Sequence, residues 1–282
     1  MGRRRRPVLV AAAAVLVLVA TGVAIGARSE PAADPAQSRG RLVVECLPSH
    51  SAHDDPLVFP GEPGRSHLHD FFGATGIDAF STPDSLDGGP TTCQIRQDRA
   101  GYWVPALYHD GEKVDPQSSV AYYRAAPGVD PTSVRSLPYG LEIIAGDGLA
   151  REPQSTDVVG WGCGPNPRLT AAPTQCSAQA ELRLHVVFPD CWDGANLTSD
   201  DHRSHMSYSR DGRCDNDHPV PVAQLEFIVR YPFWDDPSML VLASGSPYTA
   251  HADFFNTWEP DALEREIDAC IRGNVVCGLP SL

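Results

Sequence analysis

The chain has 282 residues and a formal net charge of −14, with 36 acidic residues against 22 lysines and arginines. A surface this negative repels a phosphate backbone, so the charge balance excludes nucleic acid as a partner. Hydrophobic residues make up 42% of the chain and charged residues 21%, as in an ordinary folded domain. The composition therefore predicts a globular protein that binds something other than nucleic acid.

The first 27 residues have the pattern of an export segment. Arginines at 3–6 precede an uncharged, mostly apolar run at 7–27. This order is typical of a secretory signal peptide. A run of ~20 apolar residues is also long enough to cross a bilayer, so an uncleaved N-terminal membrane anchor is the alternative. In both cases we expect the rest of the protein to be secreted or extracellular, with membrane contact only through residues 7–27.

Residues 28–40 are rich in proline and alanine and are predicted to form a flexible spacer. From residue 41 to residue 282 no second linker is visible, so we expect a single extracellular domain, present as a monomer. Candidate strands are bounded by Gly, Pro and Asp and are rich in β-branched and aromatic residues. They cover residues 42–46, 102–108, 120–124, 141–145, 180–188, 223–231 and 239–243.

The periodicity of these segments predicts a mainly β fold at the border with α+β. Leu182, Leu184 and Val186 alternate with polar residues, as in a half-buried strand. Asp110-Gly111 is typical of a hairpin turn, because both residues tolerate a positive φ. Pro260 suits a first helical position, and an apolar stripe follows it. We therefore expect a β-sandwich-like core with long loops and a C-terminal helix, and we expect the functional site on the loops.

The eight cysteines of an exported chain predict four disulfide bonds. Eight cysteines allow 105 pairings, and the sequence alone does not select one. Short separations favour Cys163–Cys176, Cys191–Cys214 and Cys270–Cys277, which leaves Cys46–Cys93. A zinc–thiolate site is a weaker interpretation, because no C-x-x-C pair is present.

Ten histidines accompany a single lysine, Lys113, and most of them lie in short clusters with aspartates. His67 and His69 would share a face of an extended segment, as would His251 and Asp253. His202 and His205 are three residues apart, which suits a helical turn or a tight loop. Imidazole and carboxylate groups at such spacings can bind a divalent metal ion or transfer protons. The predicted metal ligands are His67, His69, His202, His205, His251 and Asp253.

Other side chains widen the set of candidates. Asp98 and Asp193 are candidate acid/base carboxylates. The predicted catalytic residues are these two together with His69, His205, His251 and Asp253. Flat aromatic rings next to polar residues suit the apolar faces of sugars, although such rings more often belong to a core. The chain has no G-x-S-x-G elbow, P-loop, dinucleotide fingerprint or H-E-x-x-H motif, and no cofactor other than a metal ion is predicted.

The order of motifs after residue 40 is similar to that of a known family. The matching segments, in chain order, are Ser66-His67-Leu68-His69, Thr91-Thr92-Cys93, Asp98 with Tyr102-Trp103-Val104-Pro105-Ala106-Leu107-Tyr108, Tyr139-Gly140-Leu141, Cys191-Trp192-Asp193-Gly194, Asp201-His202 with Ser204-His205, His218-Pro219-Val220, Ser244-Gly245, and His251-Ala252-Asp253-Phe254 with Trp258. With these segments the chain resembles domain-of-unknown-function family nineteen-ninety-six, a secreted family of fungi and actinomycetes. The resemblance implies a secreted single domain, in fungi sometimes joined to a carbohydrate-binding WSC module, and no settled activity.

The family pattern includes eight residues that were selected above on chemical grounds, and it adds His218. The eight are His67, His69, Asp98, Asp193, His202, His205, His251 and Asp253. One departure is visible, because the pattern commonly has Gly before the tryptophan of the last motif and here Asn256-Thr257 precedes Trp258.

Three functions follow from these observations. The first is a secreted enzyme that acts on cell-wall or environmental polysaccharide through the His/Asp cluster, with or without a divalent metal ion. The second is a glycan-binding or envelope-associated module without catalysis. The third is a disulfide-stabilised envelope protein whose histidines lie on the surface without a common target. The sequence does not distinguish hydrolase from lyase chemistry and does not identify the metal.

Overall fold

The computed structural model describes residues 1–2 and 40–278 of the chain. The predicted export segment and the spacer up to residue 39 lie outside the described residues, apart from Met1 and Gly2, so both remain predictions. Among the residues that are described, no helix has the length and apolar character needed to cross a bilayer.

Segments with alternating apolar residues form strands, and these make up most of the regular structure. In chain order the strands are β1 (Arg41–Cys46), β2 (Pro48–Ala52), β3 (His69–Gly73), β4 (Gly101–Pro105), β5 (Leu107–His109), β6 (Glu112–Val114), β7 (Ser118–Arg124), β8 (Glu142–Gly146), β9 (Val159–Cys163), β10 (Leu182–Val187), β11 (Cys191–Trp192), β12 (Met206–Ser207), β13 (Val220–Pro221), β14 (Gln224–Tyr231), β15 (Leu240–Leu242), β16 (His251–Phe255) and β17 (Val276–Cys277). The helices are α1 (Pro83–Leu86) and α2 (Pro260–Glu266), and α2 continues as a π-helical turn, Ile267–Arg272. Single 3-10 turns occur at Pro131–Ser133, Pro237–Met239 and Pro247–Thr249.

Two large sheets form the core. The six-stranded sheet has the order β17-β1-β7-β14-β10-β9, and the five-stranded sheet has the order β2-β3-β4-β16-β8. Two small three-stranded sheets, β12-β11-β13 and β15-β5-β6, accompany them. All pairings between the strands are antiparallel except that of β1 with β17.

The two large sheets pack face to face through aromatic side chains. The ring of Phe227 on β14 stacks on that of Tyr102 on β4, with centroids 5.0 Å apart, and meets Phe72 on β3 edge-on at 5.6 Å. These rings are fully or almost fully buried, as expected for the interior of a sandwich. The predicted β-sandwich-like core is therefore confirmed.

The other face of the five-stranded sheet carries a second, smaller apolar cluster. Side chains alternate across a strand, so Phe71, Trp103 and Phe255 point away from the six-stranded sheet. Leu57, from the loop between β2 and β3, covers them together with Ile77 and Leu86. This covered outer face also holds the histidines of β3 and β16.

Four disulfide bonds join Cys46 to Cys93, Cys163 to Cys176, Cys191 to Cys214 and Cys270 to Cys277. The pairing favoured by short separations is therefore confirmed, and no free cysteine remains. Disulfide bonds in this number are typical of extracellular proteins.

The predicted helix and most of the predicted strands are present, with one informative difference. The expected strand at 102–108 is two strands, β4 and β5, that belong to different sheets. Pro105 ends β4, because proline has no N–H to donate to a strand ladder. The predicted hairpin turn lies between β5 and β6, where Asp110 and Gly111 both have positive φ, 49° and 82°.

Candidate functional site

Strands β3 and β16 both pair with β4, so the residues that begin them lie on either side of it. His69 is the first residue of β3 and His251 the first residue of β16. Both rings lie on the outer face of the five-stranded sheet, with their centroids 5.9 Å apart. We expected the site on loops, whereas these two candidate histidines lie on paired strands.

His67 completes a group of three imidazoles. It precedes β3, and its ring centroid lies 4.2 Å from that of His69 and 5.2 Å from that of His251. One nitrogen from each ring lies within 4.8 Å of the others. Two of the predicted clusters, separated by some 180 residues of chain, thus meet at one place.

Backbone carbonyls fix how two of these rings carry their protons. The Nδ1 atom of His69 donates to the carbonyl of Asp54 (2.9 Å), and that of His251 donates to the carbonyl of Thr249 (2.8 Å). A carbonyl can only accept, so each neutral ring keeps its lone pair on Nε2. The Nε2 atoms of His67 and His69 are buried and have no hydrogen-bond partner among the described residues. Metal-binding histidines commonly have this arrangement, with one nitrogen held by a carbonyl and the other directed at the ion.

Two buried aspartates lie beside the imidazoles. Asp55, His69 and Asp253 also place ligand atoms within 4.8 Å of one another. Asp253 is 1% exposed, and within the described part of the chain neither of its carboxylate oxygens accepts a hydrogen bond. Its Oδ2 atom lies 3.9 Å from Nε2 of His251. The Oδ1 atom of Asp55 accepts from the backbone N–H groups of Leu57 (3.1 Å) and Val58 (3.0 Å), which orients this carboxylate.

Burial controls the protonation of these groups. It lowers the pKa of His251 to about 4 and, with His53 nearby, that of His67 to about 4. Burial, assisted by His67 and His251, holds the pKa of His69 well below its usual value. Burial, followed by the charge of Asp55, raises the pKa of Asp253 well above its usual value. At neutral pH the cluster therefore presents uncharged imidazoles beside a carboxyl group that is costly to ionise, and a bound cation would offset that cost.

A cavity of about 400 Å³ opens above the cluster. His67, His251 and Asp253 line it, and Phe59 and Leu149 contribute apolar parts of the wall. His69 is 0% exposed and does not line the cavity. A second cavity of about 270 Å³ shares Ile144 and Arg203 with the first. The first cavity has the size of a small-molecule site, roughly 300–1,000 Å³.

His202 also lines this cavity. Its backbone has a positive φ of 57°, and its Nδ1 atom is buried without a hydrogen-bond partner in the described structure. Asp55 lines the same cavity, so the two side chains face one space. His202 thus belongs to the site, although it is not part of the close group of ligand atoms.

The structure does not bring His205 or Asp193 into the cluster. Both ring nitrogens of His205 are engaged, Nε2 with the carbonyl of Glu142 (2.7 Å) and Nδ1 with Ser199 Oγ (2.9 Å). Asp193 is used by its own turn, where Oδ1 accepts from the N–H groups of Ala195 (2.8 Å) and Asn196 (2.9 Å). These hydrogen bonds explain both residues as local supports of the loop between β11 and β12.

Asp98 lies on the opposite side of the five-stranded sheet, inside the sandwich. Its Oδ2 atom accepts from the hydroxyl of Tyr102 (2.8 Å), which is also hydrogen-bonded to Tyr123. The Tyr123 hydroxyl in turn accepts from the indole N–H of Trp258 (3.1 Å). Burial raises the pKa of Asp98 to about 7, against the opposing hydrogen bonds from Tyr102 and Ala100. Asp98 is thus part of a buried polar network that joins the two sheets.

The aromatic residues that could have bound sugars are mostly core residues. Tyr102, Trp103 and Trp258 are 0% exposed. Trp192 is partly buried, and its indole N–H donates to the carbonyl of Asn196 (2.6 Å). Asn256-Thr257 is the segment that departs from the family pattern. The side-chain amide of Asn256 donates to the carbonyls of Leu137 (2.9 Å) and Pro138 (2.8 Å), so this segment is hydrogen-bonded to a neighbouring loop.

Three contributors to the site were not predicted from the sequence. Asp55 lies in a loop and follows His53 and Asp54, which is a weak signal of the same His/Asp type. Gly148 brings its backbone against the ring of His251, since an added Cβ would lie 3.0 Å from that ring. Arg203 lines both cavities and lowers the pKa of Asp253, against the larger effect of burial. Neither Gly148 nor Arg203 has a sequence signal that distinguishes it from its neighbours.

A family model described as "Domain of unknown function (DUF1996)" matches residues 55–258. The chain belongs to this family. The match begins at Asp55 and contains His67, His69, His251 and Asp253, so the whole cluster lies inside the DUF1996 domain. Comparison with curated proteins and with solved structures finds no match to this chain.

Proposed function

We propose that this DUF1996 protein is a secreted enzyme that acts on polysaccharide with a divalent metal ion bound by His67, His69 and His251. One observation carries the proposal. The Nε2 atoms of His67 and His69 and both carboxylate oxygens of Asp253 are buried without hydrogen-bond partners among the described residues, and His69 belongs both to the close group with His67 and His251 and to the one with Asp55 and Asp253. Buried polar atoms are nearly always paired, so unpaired imidazole nitrogens and carboxylate oxygens gathered around His69 indicate a cation.

The donor set favours one class of ion. Imidazole nitrogens with one or two carboxylates suit zinc and other first-row transition metals, whereas calcium and magnesium prefer oxygen ligands alone. The three histidines supply the nitrogens. Asp253 supplies a carboxylate next to His251, and Asp55 supplies a second one that the N–H groups of Leu57 and Val58 already hold in place.

A metal at this position would polarise a substrate bond or activate a water molecule. The cavity gives that chemistry access to a substrate, because His67, His251 and Asp253 all line it. His202, which also lines the cavity, is placed to accept or donate a proton, because its Nδ1 atom has no protein partner in the described structure. Arg203, which borders both cavities, is placed to orient a polar substrate group.

Polysaccharide is the proposed substrate because several features agree with it. The N-terminal residues have the pattern of an export segment, and four disulfide bonds suit an extracellular protein. Two neighbouring cavities share Ile144 and Arg203 in their walls, which suits an extended substrate that contacts both. Phe59 and Leu149 offer apolar surface against which the face of a sugar ring can pack.

The first experiment measures metal content. The full chain, purified under oxidising conditions, is passed through gel filtration and analysed by elemental mass spectrometry, before and after incubation with zinc, manganese, copper or calcium. We expect about one transition-metal ion per chain, lost in His67→Gln and His251→Gln. His109→Gln is the matched control, because His109 is bonded to the carbonyl of Asp236 outside the cluster. A wild-type protein that takes up no ion, or variants that bind as much as wild type, would contradict the proposal.

The second experiment tests turnover. Metal-loaded and chelator-treated protein is incubated with a panel of plant, fungal and bacterial cell-wall polysaccharides, and the products are assayed for new reducing ends and for unsaturated sugars. We expect products only with the loaded protein. Reducing ends alone would indicate hydrolysis, and unsaturated ends would indicate a lyase.

A non-catalytic glycan-binding module is the second candidate, and one observation favours it. His69 is 0% and Asp253 1% exposed, so a metal bound there would lie deep in the protein, as a structural ion does. In that case the metal would order the loops around the cavity, and glycan binding would depend on the metal while no product formed over long incubation.

A further inference from the structure

A groove lies on the outer face of the six-stranded sheet, whose inner face packs on the other large sheet. It has a volume of about 350 Å³. The strand residues that line it include Arg41, Tyr122, Arg124, Arg183, His185 and Glu226, and the loop after β9 forms one wall. Neither the DUF1996 match nor the His/Asp cluster assigns a role to this surface.

The groove has the opposite charge to the protein as a whole. Three arginines and a histidine line it against one acid, Glu226, in a chain of net charge −14. Glu226 accepts from Arg124 (3.0 Å) and from His185 (3.1 Å), so one carboxylate is shared by two basic side chains. Glu181, outside the lining, pairs with Arg183. The guanidinium of Arg41 lies 5.7 Å from the ring centroid of Tyr122.

Two nitrogen atoms in this groove are buried without a protein partner. They are Nε of Arg124 and Nε2 of His185, which have no hydrogen-bond partner among the described residues. The Nδ1 atom of His185 donates to Glu226, so Nε2 of the neutral ring carries a lone pair, whereas Nε of Arg124 is always a donor. A buried donor that lacks an acceptor is unfavourable, and the Nε–H of Arg124 in a cationic groove indicates a ligand that supplies an acceptor.

One wall of the groove is held in place by glycines and a disulfide bond. Pro167 and Leu169 pack on Gly162 and Gly160 of β9, where an added Cβ would lie 2.4 Å from Pro167 and 2.8 Å from Leu169. The Cys163–Cys176 bond closes the loop that contains these residues. The groove is therefore a formed feature of the sheet surface.

We propose that this groove binds an oxyanion carried on a sugar, the carboxylate or sulfate group of an acidic polysaccharide. Arg41 and Arg124 would bind the oxyanion, because a guanidinium offers paired N–H donors that match its oxygens. The Tyr122 ring and the Asn166 amide would contact the sugar that carries it. The groove lies on the outer face of the six-stranded sheet, whereas the His/Asp cluster lies on the outer face of the five-stranded sheet. The proposal therefore goes beyond the proposed function and is independent of it.

The test is isothermal titration calorimetry of the full chain, carried out in chelator so that the metal site does not contribute. The probes are trigalacturonic acid, a sulfated disaccharide, inorganic sulfate and neutral cellotriose. We expect at least one acidic sugar to bind, more weakly as the NaCl concentration rises, and cellotriose not to bind. Inorganic sulfate should bind at least tenfold more weakly than the acidic sugar.

Variants separate this site from general charge effects. Arg124→Gln and Arg41→Gln should each weaken binding of the acidic sugar at least tenfold, whereas Arg151→Gln, at an exposed position outside the groove, should leave it unchanged. Arg41 is exposed at the start of β1, so its variant is expected to fold even if Arg124→Gln does not. The proposal is overturned if no acidic sugar binds, if Arg41→Gln binds like wild type, or if inorganic sulfate binds as tightly as the acidic sugars.

Discussion

Both carboxylate oxygens of Asp253 are buried, and neither has a hydrogen-bond partner among residues 40–278. An unpaired buried carboxyl group lowers the free energy of unfolding, because it must either stay ionised in the interior or keep a proton that the unfolded chain releases. The neighbouring Asp55 increases this destabilisation, because its charge further raises the pKa of Asp253. A residue that lowers stability in this way is expected where it serves a function, and here the function would be metal binding.

Asp253→Asn should therefore separate stability from function. We expect the metal-free variant to be more stable than the metal-free wild type by ~1–3 kcal/mol, because a neutral amide is less costly to bury than a carboxylate. The variant should also bind metal at least tenfold more weakly. Denaturant unfolding in chelator and metal titration measure the two effects.

Asp193→Asn is the matched control for this prediction. The Asp193 carboxylate accepts two backbone N–H groups and a side-chain N–H from Asn196, so its replacement should lower stability and leave metal affinity unchanged. An Asp253→Asn protein that is less stable than wild type in chelator would show that this carboxylate supports the fold.

Between elements, the close approach of β8 to β16 positions His251. Gly146 ends β8 opposite His251, and an added Cβ there would lie 2.6 Å from the carbonyl oxygen of Ala250 and 2.9 Å from the Cα of His251. The backbone of Gly146 also has a positive φ of 82°. Only glycine meets both conditions at this position.

Gly146→Ala is thus expected to lower the free energy of unfolding and to weaken metal binding. Gly111→Ala is a matched control, because Gly111 has the same φ of 82° but no atom within 4 Å of an added Cβ. The control should lower the free energy of unfolding only by the cost of a positive φ for alanine, ~1–2 kcal/mol. The additional loss in Gly146→Ala then measures the steric effect of the close approach between β8 and β16. Chemical denaturation and metal titration of both proteins test this, and equal costs would refute it.

The loop on the outer face of the six-stranded sheet depends on its disulfide bond. Cys163 and Cys176 are 13 residues apart, and a loop of about this length is stabilised by roughly 3 kcal/mol when it is closed. We expect the double variant Cys163→Ser/Cys176→Ser to lose about that much stability and to keep the metal site, which lies on the other sheet. Denaturant unfolding and metal content check both parts. Loss of metal binding in a variant that remains folded would show that the two faces are coupled.

For the molecule as a whole, the buried network from Asp98 through Tyr102 and Tyr123 to Trp258 couples folding to pH. The pKa of Asp98 is raised by burial to about 7, from an ordinary value of 3.8. Between these values the unfolded chain releases a proton that the folded chain keeps. Stability should therefore fall as the pH rises from about 4 to about 7, by at most ~1.4 kcal/mol per pH unit from this group, and then level off.

Asp98→Asn should remove this part of the pH dependence. The amide keeps an oxygen that can accept from the N–H of Ala100, and it does not titrate. We expect the variant to gain stability relative to wild type as the pH rises from 4 to 8. Unfolding free energies at several pH values give the two curves. Parallel curves would mean that Asp98 is not the group responsible.

How much of the site could be foreseen depends on the residue. His67 with His69 and His251 with Asp253 each form a pattern of two residues on one extended face, and such a local pattern is visible in the sequence. That the two pairs meet is decided by β4, which pairs with both β3 and β16. His205 was selected by its spacing from His202, and Asp193 as a candidate acid/base carboxylate. Residue type and spacing could not show that their polar atoms are taken up by nearby backbone groups and by Ser199 and Asn196.

By itself, the sequence determined the mainly β class, the terminal helix, the four disulfide bonds and the family, because these depend on local periodicity, cysteine count and the order of motifs. Only the tertiary structure decided which imidazoles converge, that Asp55 joins them, and that His185 and Arg124 lie in a cationic groove. The physical reason is that strand pairing joins residues far apart in the chain. Whether a polar atom is paired depends on these distant neighbours, and neither residue type nor spacing reveals it.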